Sequence, residues 1–173
     1  GYFREAINYK PDFFQAYMNL GNTLKELSKF SEAEKIYKKT IGLNPNYTKA
    51  YYNLGALQQD LNRFEEAEVN LRKTIEIDTN FFQAYVNLGS TLKNLSKFEE
   101  AEKILRKATS LKPDHAKVFN NLGTILVDLV KLDEAEKNIR KAIKLDSKLT
   151  EAHINLDLVL KQKELLKIVN SKK

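Results

Sequence analysis

The sequence predicts an all-α chain of helix-turn-helix units stacked side by side, and three observations carry that prediction. Gly21, Gly55, Gly89 and Gly123 stand 34 residues apart, each closing the same phrase, Asn-Leu-Gly. All three prolines, Pro11, Pro45 and Pro113, fall on the same grid. Between these marks, apolar residues recur at the intervals of a helix with one buried stripe, as in Tyr85, Leu88, Leu92 and Leu95 followed by Phe98, Ala101, Leu105 and Leu111. A fixed period of this length marks units too small to bury their own apolar faces, which therefore stack on their neighbours. Such an architecture favours an extended binding surface over a catalytic pocket.

Each unit is justified by its own residues. Residues 1–13 match only the close of a second helix and read as the second half of a truncated repeat. Its uncovered apolar side predicts self-association through an open N-terminal end. Full repeats follow at 14–47, 48–81, 82–115 and 116–149, each a first helix, a short turn and a second helix. Proline ends the first full unit at Pro45, because it cannot continue a helix. Asp12, Asn46, Asn80 and Asp114 precede the first helices as N-cap candidates, and Ser96-x-x-Glu99 has capping-box spacing before a second helix. Gly in a helix costs roughly 1 kcal/mol against Ala, so four glycines in one phase predict a close helix crossing. The terminal segment, 150–173, reads as a capping helix to about Gln162, with Leu165, Leu166, Ile168 and Val169 forming a short second helix folded against it. No Gly/Ser/Pro-rich linker interrupts the chain, so residues 1–173 read as a single domain.

Charge placement narrows the function. The formal net charge is +6, yet the charges are paired along helices. Glu34 precedes Lys38 by four residues, as Glu68 does Arg72, Glu102 does Arg106 and Glu136 does Arg140. Acid before base at that spacing supports a helix and suits its dipole. This predicts a solvated outer face rather than a nucleic-acid stripe. The longest apolar run, near Ile125, is interrupted by Asp128, so no membrane span is expected. The chain has no cysteine, which excludes disulfides and thiolate metal sites and is compatible with a cytoplasmic location.

The pattern aromatic-x-x-Leu-Gly, then Ala, then Pro on a 34-residue grid resembles the tetratricopeptide repeat (TPR) family. In the first full unit its carriers are Tyr17, Leu20, Gly21, Leu24, Ala33, Tyr37 and Pro45; in the fourth, Phe119, Leu122, Gly123, Leu126, Ala135 and Ile139. Departures are local: Thr79 and Ser147 replace the proline, and Gln58 replaces an apolar residue beside Leu57. The resemblance implies antiparallel helix pairs stacked as a right-handed α-solenoid, with first helices lining the concave side.

Carried over residue by residue, the family's concave positions give the column Asn19, Asn53, Asn87, Asn121 and Asn155. Around it stand Asn22, Lys49, Tyr52, Lys93, Lys117 and Asn120. Further along the same helices come Lys25, Asp60, Thr124, Val127, Asp128, Ile154 and Leu158. A side-chain amide offers donors and an acceptor, so it can match the N–H and C=O of a peptide without reading its side chains. Helices packed about 8–10 Å apart meet a strand rising about 3.3 Å per residue at roughly every third residue. The column is similar to the asparagine ladder of O-GlcNAc transferase. Two readings stand: backbone binding, or bonds to a neighbouring helix or water.

No cofactor and no catalytic role is expected. His115 and His153 lack metal-ligand spacing, the glycines are repeat elements rather than a phosphate loop, and acid pairs such as Glu65-Glu66 recur at helix starts. The sequence therefore predicts a non-catalytic module that holds an extended segment of a partner protein. The alternative is the substrate-recognition arm of a larger O-linked glycosyltransferase.

Overall fold

The structure is a computed structural model in which residues 13–171 are described. Among these, nine helices form and no strand does. They are α1 (Phe14–Glu26), α2 (Phe30–Leu43), α3 (Thr48–Asp60), α4 (Phe64–Ile77), α5 (Phe82–Asn94), α6 (Phe98–Leu111), α7 (Ala116–Asp128), α8 (Leu132–Leu145) and α9 (Thr150–Ser171). The all-α fold of paired helices is as the period predicts. The truncated half-unit, apart from Phe13, lies outside the described residues. The chain divides into two compact units, Gly1–Thr91 and Leu92–Lys173, the division falling inside α5.

Within the first unit α1 packs on α2, α2 on α3, α3 on α4, and α1 also touches α3. The second unit repeats the scheme: α6 packs on α7, α7 on α8, α8 on α9, and α7 touches α9. First helices thus lie side by side in each unit. The crossing of first and second helix is where glycine is required. A Cβ on Gly21 would strike the Tyr37 ring, and one on Gly123 would strike Ile139 Cγ1. At Gly55 it would come 2.9 Å from Leu71 Cγ and 3.3 Å from the Ala67 carbonyl. Ala33, Ala67, Ala101 and Ala135 are fully buried, the small partners of this crossing in the second helices.

Each hairpin turn closes on a left-handed residue: Ser28, Asn62, Ser96 and Val130, with φ of 56° to 59°. In the first, Lys29 N–H donates to the Leu24 carbonyl and Ser28 N–H to that of Lys25, at 2.8 and 2.9 Å. The pair of bonds is a Schellman closure and satisfies carbonyls the helix end leaves open. Ser96 is therefore a helix terminator and not a capping-box residue. The second helix starts after Lys97, whose side chain makes no cap bond.

The loops between repeats correct the other capping expectation. Helices begin after Tyr47 and His115 without a side-chain cap. Asn46 and Asn80 sit one residue too early, and their backbone N–H groups are taken by Asn44 Oδ1 and Asp78 Oδ1, at 3.1 and 2.9 Å. Asp114 likewise stands one residue before its helix's cap position, and Asp12 lies outside the described residues. The turn holds without proline: Phe81 N–H donates to Asp78 O and Leu149 N–H to Asp146 O, as Tyr47 N–H does to Asn44 O beside Pro45.

The C-terminal expectation is also corrected. Residues 150–171 form one helix with no break near Gln162. Lys163, Glu164 and Leu165 hold no glycine, proline or asparagine that would favour a left-handed closure, and Lys163 Nζ is anchored by Asp133 and Glu136 of α8, at 2.6 and 2.7 Å. Leu165, Leu166, Ile168 and Val169 accordingly stay exposed.

Candidate functional site

In the first unit the face made by α1, α3 and the start of α5 carries Asn19, Asn53 and Asn87, all half-buried. Asn19 Oδ1 accepts from Gln15 Nε2 at 3.0 Å. Asn53 Nδ2 donates across to α1, to Asn22 Oδ1 at 2.9 Å, and lies 3.9 Å from Met18 Sδ. The same Asn22 oxygen accepts the Tyr37 hydroxyl at 2.8 Å, so one exposed amide joins three helices. Asn87 Nδ2 donates to the Tyr52 hydroxyl at 3.5 Å, and Gln59 Nε2 donates to the Asn87 carbonyl at 3.3 Å. Tyr52 stacks at a tilt on Phe81, centroids 4.9 Å apart. Burial pushes its hydroxyl pKa up, against the opposing bond from Asn87. Burial, with Glu26 nearby, holds the Tyr37 hydroxyl up at about 12, so it remains a donor throughout the ordinary pH range. Lys25 pairs with Asp60 at 2.6 Å, and Lys49 points into solvent.

The second unit builds the same face from the end of α5, α7 and α9. Asn155 Nδ2 donates to Asn120 Oδ1 at 2.9 Å, and Asn120 is buried. Asn121 is half-buried, and among the described residues its side chain forms no hydrogen bond. Lys117 is exposed. Lys93 and Asp128 approach at 3.5 Å, a looser pair than Lys25 and Asp60. Lys93, Thr124, Val127, Asp128, Asn155 and Leu158 together line a shallow cleft. All six are positions read from the sequence as facing the groove.

The arrangement follows a rule. Asn53, Asn87 and Asn155 each use Nδ2 to reach the preceding first helix, and among the described residues their Oδ1 atoms accept nothing from protein. The amides are half committed: the Nδ2 group is spent on neighbouring helices, twice over in Asn53, and an acceptor remains in each, with a second N–H in Asn87 and Asn155.

Repeat-family models match four consecutive segments, 14–47, 48–81, 82–115 and 116–149, each described as a tetratricopeptide repeat. The chain belongs to the tetratricopeptide repeat family. Among solved structures of this family, it is similar to YrrB, described as a TPR protein with an unusual peptide-binding site. That match has 23% identity and a TM-score of 0.83, covering 94% of this chain and 84% of that one. A MamA structure matches at 25% identity and TM-score 0.83, covering 88% and 83%. PilF of Pseudomonas aeruginosa matches at 24% and 0.77, covering 88% and 70%. No curated protein sequence matches the chain significantly.

The second helices of these TPR repeats carry a different chemistry. All four predicted acid-base pairs form, Glu34–Lys38 at 2.7 Å and the Glu68–Arg72, Glu102–Arg106 and Glu136–Arg140 pairs at 2.8 Å. What the spacing within one repeat did not disclose is a second cation from the next repeat's hairpin. Arg63 grips Glu34 at 2.7 Å, and Lys131 grips Glu102 at 2.8 Å. Bonds from Arg63 and Lys38 hold the Glu34 carboxyl down at about 2. Burial works against ionising Glu102, and its bonds from Lys131 and Arg106 override that and keep it below the usual range. Gln58, the apolar-to-polar departure, is buried and satisfied: it accepts from Asn70 at 2.8 Å and donates to Glu66 at 3.2 Å. Leu57 beside it is fully buried, so the rotation of α3 is that of its counterparts. Among the described residues no group of three His, Asp or Glu side chains is placed to hold a metal, and no helix is long and apolar enough to cross a membrane.

Proposed function

We propose that the first-helix faces of this TPR protein bind an extended segment of another protein, and that the asparagine column reads its backbone. The supporting observation is the half-committed amide: Asn53, Asn87 and Asn155 each keep an unpaired Oδ1 among the described residues, and Asn121 keeps its whole amide. A free Oδ1 accepts a peptide N–H, and in Asn87, Asn121 and Asn155 an Nδ2 hydrogen is left to donate to a peptide carbonyl. Lys49 and Lys117, both exposed, supply charge at the rim, and Tyr52 supplies an aromatic edge. The module needs no catalytic group for this.

Panning a random peptide library on the protein and titrating a selected peptide calorimetrically tests the reading. Asn53→Ala with Asn87→Ala is expected to weaken binding at least tenfold while helicity is kept. Failure to select any peptide, or full affinity in the double variant, would overturn it. The alternative, a recognition arm for an O-linked glycosyltransferase, requires a catalytic sequence in the same reading frame, and sequencing the surrounding gene decides it.

A further inference from the structure

The helix α9 is apolar on two opposite sides. Ala152 and Val159 are fully buried against the rest of the second unit, while Ile154, Leu158, Leu165 and Val169 are 56, 54, 62 and 53% exposed. At about 100° per residue these four fall within an arc of roughly 60°, a stripe about 22 Å long at a rise of 1.5 Å. A helix that is apolar all round belongs in an interior, and here one side is bare.

We propose that this stripe pairs with the same stripe of a second copy, the two α9 helices running antiparallel. The stripe is self-complementary. Its residues are symmetric about the point between Lys161 and Gln162, so a twofold axis there sets Ile154 opposite Val169 and Leu158 opposite Leu165 in both directions. The charges agree with that choice. Lys161 stands mid-stripe, Asp157 and Glu164 lie along one edge, and all three are exposed without an ion pair among the described residues. Antiparallel pairing brings like edges together, so each Lys161 falls between Glu164 and Asp157 of the second copy. The two lysines meet near the axis with four carboxylates around them. A polar residue at the middle of an apolar seam fixes orientation and register at some cost in stability. Beside Leu165, the cleft formed with Val127, Val130, Leu132 and Leu166 receives Leu158 of the second copy at its mouth. One helix pair is small beside the roughly 800 Å² per partner of a standard interface, so the dimer is weak and concentration-dependent.

Sedimentation velocity across a wide concentration range is expected to show a reversible monomer–dimer equilibrium, weakened at least tenfold by Leu158→Glu with an unchanged circular dichroism spectrum. The chain has no cysteine, so oxidation reports geometry directly. Leu158→Cys mixed with Leu165→Cys is expected to form a disulfide-linked pair, and neither alone is. A protein that stays monomeric overturns the proposal. So does a dimer that survives Leu158→Glu, which would mark association through another surface, including the N-terminal end. Self-linking of Leu158→Cys alone would mark parallel pairing and overturn it equally.

Discussion

The two units use one backbone plan and finish its first-helix face differently. In the first unit the face is closed by its own polar contacts: Lys25 with Asp60, Asn53 with Asn22, and Tyr37 reaching through from α2 to the same Asn22. In the second unit the Tyr37 position is Ile139, the Lys25–Asp60 pair becomes the looser Lys93–Asp128, and Ile154 and Leu158 stand bare. The repeat period fixes where a side chain points; which atoms it offers is set column by column. The first unit spends more of its polar groups on itself, keeping the Oδ1 atoms of Asn53 and Asn87 free, and the second keeps apolar surface and an uncommitted Asn121 available.

The strongest test of what the units share is at the crossing. Gly55→Leu and Gly123→Leu are each expected to cost about 1–3 kcal/mol by overpacking, read as lower urea midpoints. Loss in one unit alone would break the common plan. A smaller effect separates the units at their hairpins. Val130 holds a left-handed conformation that Asn62 tolerates better. Val130→Gly is expected to raise stability by about 1 kcal/mol and Asn62→Val to lower it by a similar amount, measured by thermal melts. Tyr37→Phe is expected to cost about 1 kcal/mol for its lost bond to Asn22, a term with no counterpart at Ile139. An unchanged melt would mean that the first unit's polar closure contributes nothing.

The outer network gives the smallest and most condition-dependent effect. Because folding lowers the Glu34 pKa from 4.5 to about 2, its contribution is complete above pH 4.5 and is lost as pH falls through about 2. Arg63→Met removes the larger part of that depression and leaves the Lys38 pair, so acid unfolding is expected to begin at higher pH than in wild type. Coincident acid profiles would show that the pairing across repeats is idle.

Much of this was legible in the sequence because period and burial are local properties. Glycine phase predicted the crossings, and four-residue spacing predicted the acid-base pairs. Capping was misread because Ser96 suits a left-handed turn as well as an N-cap, and the Schellman closure that decides between the two needs backbone geometry. The single helix α9 was missed because apolar Leu165 and Leu166 suggested a folded-back partner, while the missing turn residue was the better signal. For the candidate site, the column of asparagines was visible, but its bonds were not. Asn155 to Asn120 and Arg63 to Glu34 join residues 35 and 29 positions apart, and they emerge only when neighbouring repeats are read as pairs.

That the amides read a peptide's main chain is tested most directly by scanning a selected peptide twice, once with N-methyl groups and once with alanine. N-methylation is expected to abolish binding at about every third residue while most alanine substitutions are tolerated, with Asn121→Ala weakening binding at an unchanged melting temperature. Tolerance of N-methylation throughout, with affinity lost on alanine substitution instead, would contradict it.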